Sequence, residues 1–471
     1  MKKAIFGVAG PAALALLCTL SAPAALSQAA AGAGSSGADA MRIMGVLLLA
    51  ILWWVGGVFP DWIIALSMLL LWTTVGKLPF SAVFAGYADA SMWLVVGAFC
   101  LAGAVTKAGL FQRISWFLLR LFPPTFPGQT LALLAVGTLC APLMPSVSVK
   151  AILGANIAFH IANAMGYSPG DRRRCGLFLS AYTGFVASSP AFMSGSVFTY
   201  TLLGVLRSGG QNNVSWISWC VIMLPWLAVT LAGMYGTLLL TPGAREPTHL
   251  SSAYIQNEYR KLGPMGKTER KAAVLLTLAA VLWGLETALG IPAAVTALAV
   301  GILCFLWGIL DLEEISTAIP WNLILFLGAV LNLGQVLSAA GLDSWLQFLL
   351  TPLVSRIASP YQIAAMVFIF VLALRVILVS QAATVILAMA ILSSAAASIC
   401  FPPLLLGMTI LAAEQCWLLP YQNTVFSSAL ACMKGTVLHR DTVRYSLILE
   451  CVSLAAILIS IPCWKALGVL E

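Results

Sequence analysis

Residues Pro142–Met165 read PLMPSVSVKAILGANIAFHIANAM, and whether this stretch crosses a bilayer decides the fold. Apolar runs flank it, so it belongs to the membrane. Its first part makes a poor spanning helix. Pro142 and Pro145 cannot continue a helical hydrogen-bond ladder, Ser146 and Ser148 follow, and Lys150 puts a cation among apolar residues. Interrupted polar backbone survives at membrane depth only when enclosed by protein or lining a wet cavity. A cation inside the membrane marks a functional site with an anion near it. The stretch therefore predicts a re-entrant helix–turn–helix whose tip, Ser146–Lys150, faces an anionic solute. The competing reading is a Pro-kinked spanning helix with Lys150 snorkelling to the interface.

Composition sets the surroundings. Of 471 residues, 61% are apolar and 8% charged, against roughly a quarter charged in soluble domains. Long continuous apolar runs exclude a β-barrel, whose strands alternate over short segments. The net charge of +8 has no basic domain to carry it, so nucleic acid is not an expected partner. The eleven cysteines are scattered singly without metal spacing, as small packing residues are. No P-loop is present. An enzyme would need a convergent base and nucleophile, and of the three histidines, His249 and His439 fall in loops. No enzymatic activity and no cofactor are expected.

The chain repeats itself. Residues 1–30 have the layout of a secretory signal or a signal-like first helix, and 31–42, rich in Gly, Ala and Ser, read as a linker. The first unit, 43–241, carries two apolar segments, a third at 91–109, an amphipathic piece at 110–121, the interrupted hairpin, and an apolar run broken at Ala187-Ser188-Ser189-Pro190. A polar connector covers 242–270. The second unit, 271–471, recurs in the same order, with Trp321–Gly341 paralleling 91–109. Its hairpin has Arg375 before the polar tip Ser380-Gln381-Ala382-Ala383-Thr384, and its broken helix is interrupted at Leu419–Thr424. An internal repeat of this kind governs the fold.

Charge fixes orientation. With the connector inside and no net crossing for either hairpin, most Lys and Arg of the short loops fall inside; Arg42, Lys77, Arg207, Arg356 and Lys465 fall outside. Counting either hairpin as one span would spoil that bias. The two units then have opposite topology, the expected fold being an all-α, polytopic membrane protein of two inverted repeats, each with a re-entrant hairpin and a broken helix. Inverted repeats with discontinuous helices meeting near the midplane are secondary-transporter architecture.

At this point the chain resembles the divalent anion:sodium symporter family of sodium–dicarboxylate, sulfate and citrate carriers and dicarboxylate exchangers. The resemblance rests on Phe84-Ala85-Gly86-Tyr87, Trp93–Phe99, Trp321–Gly341 and the order of breaks. It implies an elevator-type anion carrier, usually a homodimer. The family's tips carry Ser-Asn-Thr, which hold substrate carboxylate and sodium. Ser146 and Ser380 match the serine and Ser148 replaces the threonine by another hydroxyl. The asparagine is absent from both tips and the second threonine is Ala382, which puts sodium in doubt. Lys150 lies where exchanging relatives tend to carry Arg.

The expected substrate residues are Ser146, Val147, Ser148, Lys150, Ser188, Ser189, Ser380, Gln381, Thr384, Tyr421, Gln422, Asn423 and Thr424. Lys150, Arg375 and Glu414 are candidates for coupling or charge balance, with Glu414 either pairing with Arg375 or Lys150 or exchanging a proton. Thr384 could instead bond back to its own helix. The expected protein carries divalent organic anions, di- or tricarboxylates such as succinate, malate or citrate, across the bacterial inner membrane by exchange. Its connector is cytoplasmic and its C-terminus periplasmic. The alternatives are a sodium-coupled symporter of sulfate or dicarboxylates, or a transporter-fold protein without transport.

Overall fold

The computed structural model describes residues 2–208, 214–247, 250–354, 359–397 and 401–470. Arg356, His249 and residue 248 of the connector lie outside these. Every described element is a helix. Eight are long and apolar enough to cross a membrane, and Lys3–Thr19 with Ala24–Gly32 form a further pair bent by 81°. The chain is an all-helical, multi-pass membrane protein.

Lys2–Thr19 packs along Gly37–Gly56. Glycines permit the approach: a Cβ on Gly56 would stand 2.4 Å from Phe6 Cβ, and one on Gly10 would stand 2.9 Å from Trp53 Nε1. Small residues at a helix crossing are how membrane helices pack without a hydrophobic drive. Residues 31–42, expected as a linker, instead hold the end of Ala24–Gly32, a short turn and the start of Gly37–Gly56. Ser36 caps that start by accepting from the Asp39 backbone N–H at 3.0 Å. Alanine, which made the segment look low in complexity, is also the best helix former.

The order of breaks recurs. In the first half, Phe126–Cys140 runs through a short turn into a tip at Met144–Ser146, and Val147–Ala164 returns. Arg172–Tyr182 then breaks over residues 183–196 before Val197–Ser208, and Trp216–Leu239 closes the half. In the second half, Pro360–Ile377 reaches a tip at Leu378–Ser380 and Gln381–Ala397 returns. Pro403–Ala413 breaks over residues 414–423 before Thr424–Ala431, and His439–Ala466 closes. Each arm at the first tip is 18 residues long, about 27 Å at 1.5 Å per residue. By length, either arm could cross. Two crossings return the chain to its starting face as a re-entrant loop does, so the charge asymmetry is the same for both.

The halves interlock. The closing helices lie together, with Trp226 Nε1 donating to Ser453 Oγ at 3.0 Å and Trp464 Nε1 to Ile222 O at 2.8 Å. Ala90–Lys107 crosses Ala293–Leu306 so tightly that a Cβ on Gly97 would stand 2.3 Å from the backbone of Ala297. Gly97→Ala is therefore expected to cost about 1–3 kcal/mol, the usual range for overpacking, read as a lower thermal midpoint in detergent. Gly236→Ala is the control. Its Cβ meets nothing within 4 Å, and alanine gains about 1 kcal/mol over glycine inside a helix.

Candidate functional site

The two tips open onto one cavity of about 730 Å³. Ser146, Val147 and Ser148 line it from the first, and Val379, Ser380, Gln381 and Ala382 from the second. Thr424, at the start of the helix after the second break, adds a third polar wall. Trp54, Pro60, Asp61, Trp62, Phe99, Asn322 and Phe326, from helices outside the tip pairs, complete the enclosure.

Helix starts give this cavity its chemistry. The first intrahelical bond of the returning arm runs from Lys150 N to Ser146 O, and no side chain caps that helix. The N–H groups of Val147 and Ser148 are thus among the donors a helix start leaves unpaired. At the second tip the first bond runs from Thr384 N to Ser380 O, and Ser380 Oγ accepts from Ala383 N at 3.3 Å. That leaves the N–H groups of Gln381 and Ala382. Two helix N-termini, of 18 and 17 residues, thus turn their positive ends and orphan donors towards one space. Such an end binds carboxylate or sulfate oxygens.

Neither cation behind the tips lines the cavity. Lys150 is fully buried, which excludes snorkelling to an interface. Its ammonium donates to Ala141 O at 3.1 Å, Ser189 Oγ at 2.7 Å and Gly195 O at 2.5 Å. All three of its protons are used. Direct contact with solute, the expectation for Lys150, is thus replaced by a staple between the first tip and the first broken helix. The physical reason is that both breaks free carbonyls inside the membrane, and these need donors. Arg375 does the same in the second half. It is fully buried and donates to Leu378 O at 3.1 Å, Val379 O at 2.9 Å and Gln422 O. Each half therefore holds one buried cation that joins its tip to the break that follows.

Other expected residues sit away from the cavity. Ser188 and Ser189 are buried and bond back to Gly184 O and Phe185 O, so they satisfy their own broken helix. Thr384 donates to Ser380 O at 2.9 Å, again within its own helix. Tyr421 is 47% exposed and donates to Val376 O at 3.0 Å. Asn423 caps Thr424–Ala431 by accepting from Phe426 N at 2.9 Å. Gln422 Oε1 accepts from Leu419 N at 3.1 Å. Glu414 is fully buried. One of its oxygens accepts from Gln415 Nε2 at 3.4 Å and the other has no partner. Neither Arg375 nor Lys150 forms an ion pair with Glu414 within 4.0 Å.

Asp61 and Asn322 line the cavity without having been expected there. Asp61 Oδ2 accepts from Ser380 Oγ at 2.8 Å. Following Pro60 at the head of an apolar run, Asp61 reads as an ordinary helix start. Only the fold brings it to the second tip.

A family profile described as the sodium:sulfate symporter transmembrane region matches residues 15–470. The chain is 24% identical over 334 residues to the chloroplastic dicarboxylate transporter 1 of Arabidopsis thaliana, covering 69% of this chain and 60% of that protein. It is 26% identical to the inner membrane protein YbhI of Escherichia coli strain K12, covering 64% of this chain and 66% of the relative. It is 25% identical to the L-tartrate/succinate antiporter of the same strain, covering 61% and 60%. The matches thus span somewhat under two thirds of these relatives' lengths.

Proposed function

The chain belongs to the family of the sodium:sulfate symporter transmembrane region, and from that premise we propose that it is a secondary carrier of divalent organic anions. Its substrate is a dicarboxylate of succinate or malate size, moved by exchange. The observation that carries this reading is the meeting of two helix N-termini and three tip hydroxyls, those of Ser146, Ser148 and Ser380, on one cavity. A dicarboxylate offers two anionic ends to two such donor sets. The relatives' names, a dicarboxylate transporter and a tartrate/succinate antiporter, agree in substrate class.

Exchange follows from the fixed cations. A bound sodium ion needs several oxygen ligands, and tip carbonyls are its natural source in this membrane setting. Here Lys150 takes Ala141 O and Gly195 O, and Arg375 takes Leu378 O, Val379 O and Gln422 O. With a cationic donor already on each, those oxygens are poor ligands for sodium, and the tip asparagines are absent. A carrier with the Lys150 ammonium held behind its first tip, paired with carbonyls and a hydroxyl but no carboxylate, favours the loaded state for reorientation. The cavity lies between the tip pairs and helices 37–74, 90–107 and 321–330, a division that suits an elevator motion. We place the protein as a homodimer in the bacterial inner membrane, with halves of opposite orientation, the connector cytoplasmic and the C-terminus periplasmic.

Proteoliposomes preloaded with malate test this. Uptake of labelled succinate is expected only when an exchangeable anion is inside, and without dependence on sodium. Uptake driven by a sodium gradient into empty vesicles is the result of the alternative, a sodium-coupled symporter of sulfate or dicarboxylates. Replacing Ser146 or Ser380 by alanine removes a hydrogen bond to a charged group, worth about 1.5–3 kcal/mol. Each change is expected to raise the half-saturating succinate concentration by about tenfold or more.

A further inference from the structure

The second broken helix holds a cluster of buried groups that the cavity does not use. Glu414 ends Pro403–Ala413 and is fully buried, with Oε2 unpartnered. Glu450, on the closing helix, is 5% exposed and neither carboxylate oxygen has a partner. The helical face of Glu450 fixes what it meets. Ser446 Oγ accepts from Trp417 N at 3.0 Å, and Ser453 Oγ donates to Ala412 O at 3.1 Å. Positions 446, 450 and 453 share one face of a helix, so Glu450 is set against the turn between Ala412 and Trp417, which contains Glu414. Arg375, Cys416, Tyr182 and His439, whose Nε2 lies 3.0 Å from Trp417 O, are the other titratable or charged groups facing this turn. Among the described residues, Arg375 is the one cation acting on either carboxylate. Gln422 Nε2 is also buried without a partner.

Two ionised carboxylates with one guanidinium leave a net charge of minus one in the interior. A buried uncompensated charge is strongly disfavoured, so the cluster takes up one positive charge. A metal ion fits poorly, because Arg375 already stands there and Gln422 presents a donor. A proton fits. We propose that Glu414 and Glu450 together bind one proton and that this is a proton site coupled to the anion cavity. A carboxylate gains H⁺ from the aqueous face to which the carrier is open and becomes a carboxylic acid, and an equal proton returns on the opposite leg, so one-for-one exchange moves no net proton and changes no bond of the substrate. The link to the cavity is Gln381, which lines it and whose Nε2 donates to Glu414 O at 3.5 Å. The coupling rests on the carrier reading above; the proton site itself does not.

Infrared spectroscopy of the purified full chain in lipid, titrated from roughly pH 5 to 8, tests the site. The expected result is a carbonyl band of a buried carboxylic acid that shifts in deuterated water and fades as pH rises. Either Glu414→Gln or Glu450→Gln is expected to remove the whole band, since one carboxylate beside Arg375 is already neutral. Absence of the band from the wild type at every pH, or its removal by sodium at constant pH, overturns the site. The wild-type titration decides this even if a variant fails to fold. In succinate-loaded vesicles held at one pH on both sides, counterflow is expected to fall at least tenfold as the band fades with rising pH, and that pH response is expected to vanish in Glu450→Gln. Counterflow without the band defeats the proton site alone. The band without counterflow of any dicarboxylate defeats the carrier reading and leaves the site standing. Band and counterflow together, with a wild-type counterflow rate that ignores pH over the range in which the band fades, overturn the coupling.

Discussion

Lys150→Met is expected to abolish anion counterflow and to lower the thermal midpoint of the protein in detergent. The ammonium is the shared donor of Ala141 O, Ser189 Oγ and Gly195 O, which come from the first tip and the first broken helix. Methionine fills a similar volume but leaves three buried acceptors short of a donor, at about 1–3 kcal/mol for each acceptor left unpaired. Against a total stability of about 5–15 kcal/mol, that is enough to release the tip from its seat. Val147 and Ser148 would then no longer present their N–H groups to the cavity. A lysine that touched the substrate directly would behave differently: Lys150→Met would weaken anion binding while leaving the thermal midpoint unchanged or raised. Lys150→Arg is expected to fail as well. A planar fork cannot aim at three acceptors set around a point charge, so charge alone will not rescue exchange.

The tips were legible in the sequence because they break local rules where the surroundings obey them. Proline, serine and a cation inside an apolar run leave few physical options, and Ser146, Ser148, Ser380, Gln381 and Thr424 do meet on one cavity. Where Lys150 and Arg375 point was not legible. A cation near a tip suggests an anion, yet the nearest need in this fold is that of carbonyls freed by a second break some forty residues away along the chain, at Ser189 and Gly195 for Lys150 and at Gln422 for Arg375. Spacing in sequence does not show which break packs on which tip. Glu450 was detectable. It is the one acid beyond the first turn of a long apolar helix, flanked on its own face by Ser446 and Ser453, and such a polar stripe marks a buried contact. Asp61 had no such mark, because an acid in the first turn is ordinary helix chemistry.

Asp61→Asn is expected to lower the half-saturating concentration of succinate by about tenfold and to slow maximal exchange. Asp61 heads Asp61–Thr74, which packs against Gly37–Gly56 and Trp321–Val330, outside the tip pairs. Its carboxylate accepts the Ser380 hydroxyl at 2.8 Å, so in the empty site an internal anion occupies a donor that the substrate needs. A substrate carboxylate arriving at Ser380 meets that charge. Two like charges about 4 Å apart repel by about 1 kcal/mol in water and about 4 kcal/mol at an effective dielectric near 20. A partly wet cavity lies between these limits, and about 1.4 kcal/mol is already tenfold in affinity. Asparagine keeps an acceptor for Ser380 and removes only the charge, so the tip stays capped while the repulsion goes. Tighter binding without a matching gain at the barrier slows release, which is why the maximal rate falls as affinity rises. The opposite result, weaker binding together with an altered response to sodium, would mean that Asp61 serves as a ligand for a cation travelling with the anion. In that case the carrier is a symporter, and the charge opposing the substrate in the empty state becomes the charge that recruits its partner ion.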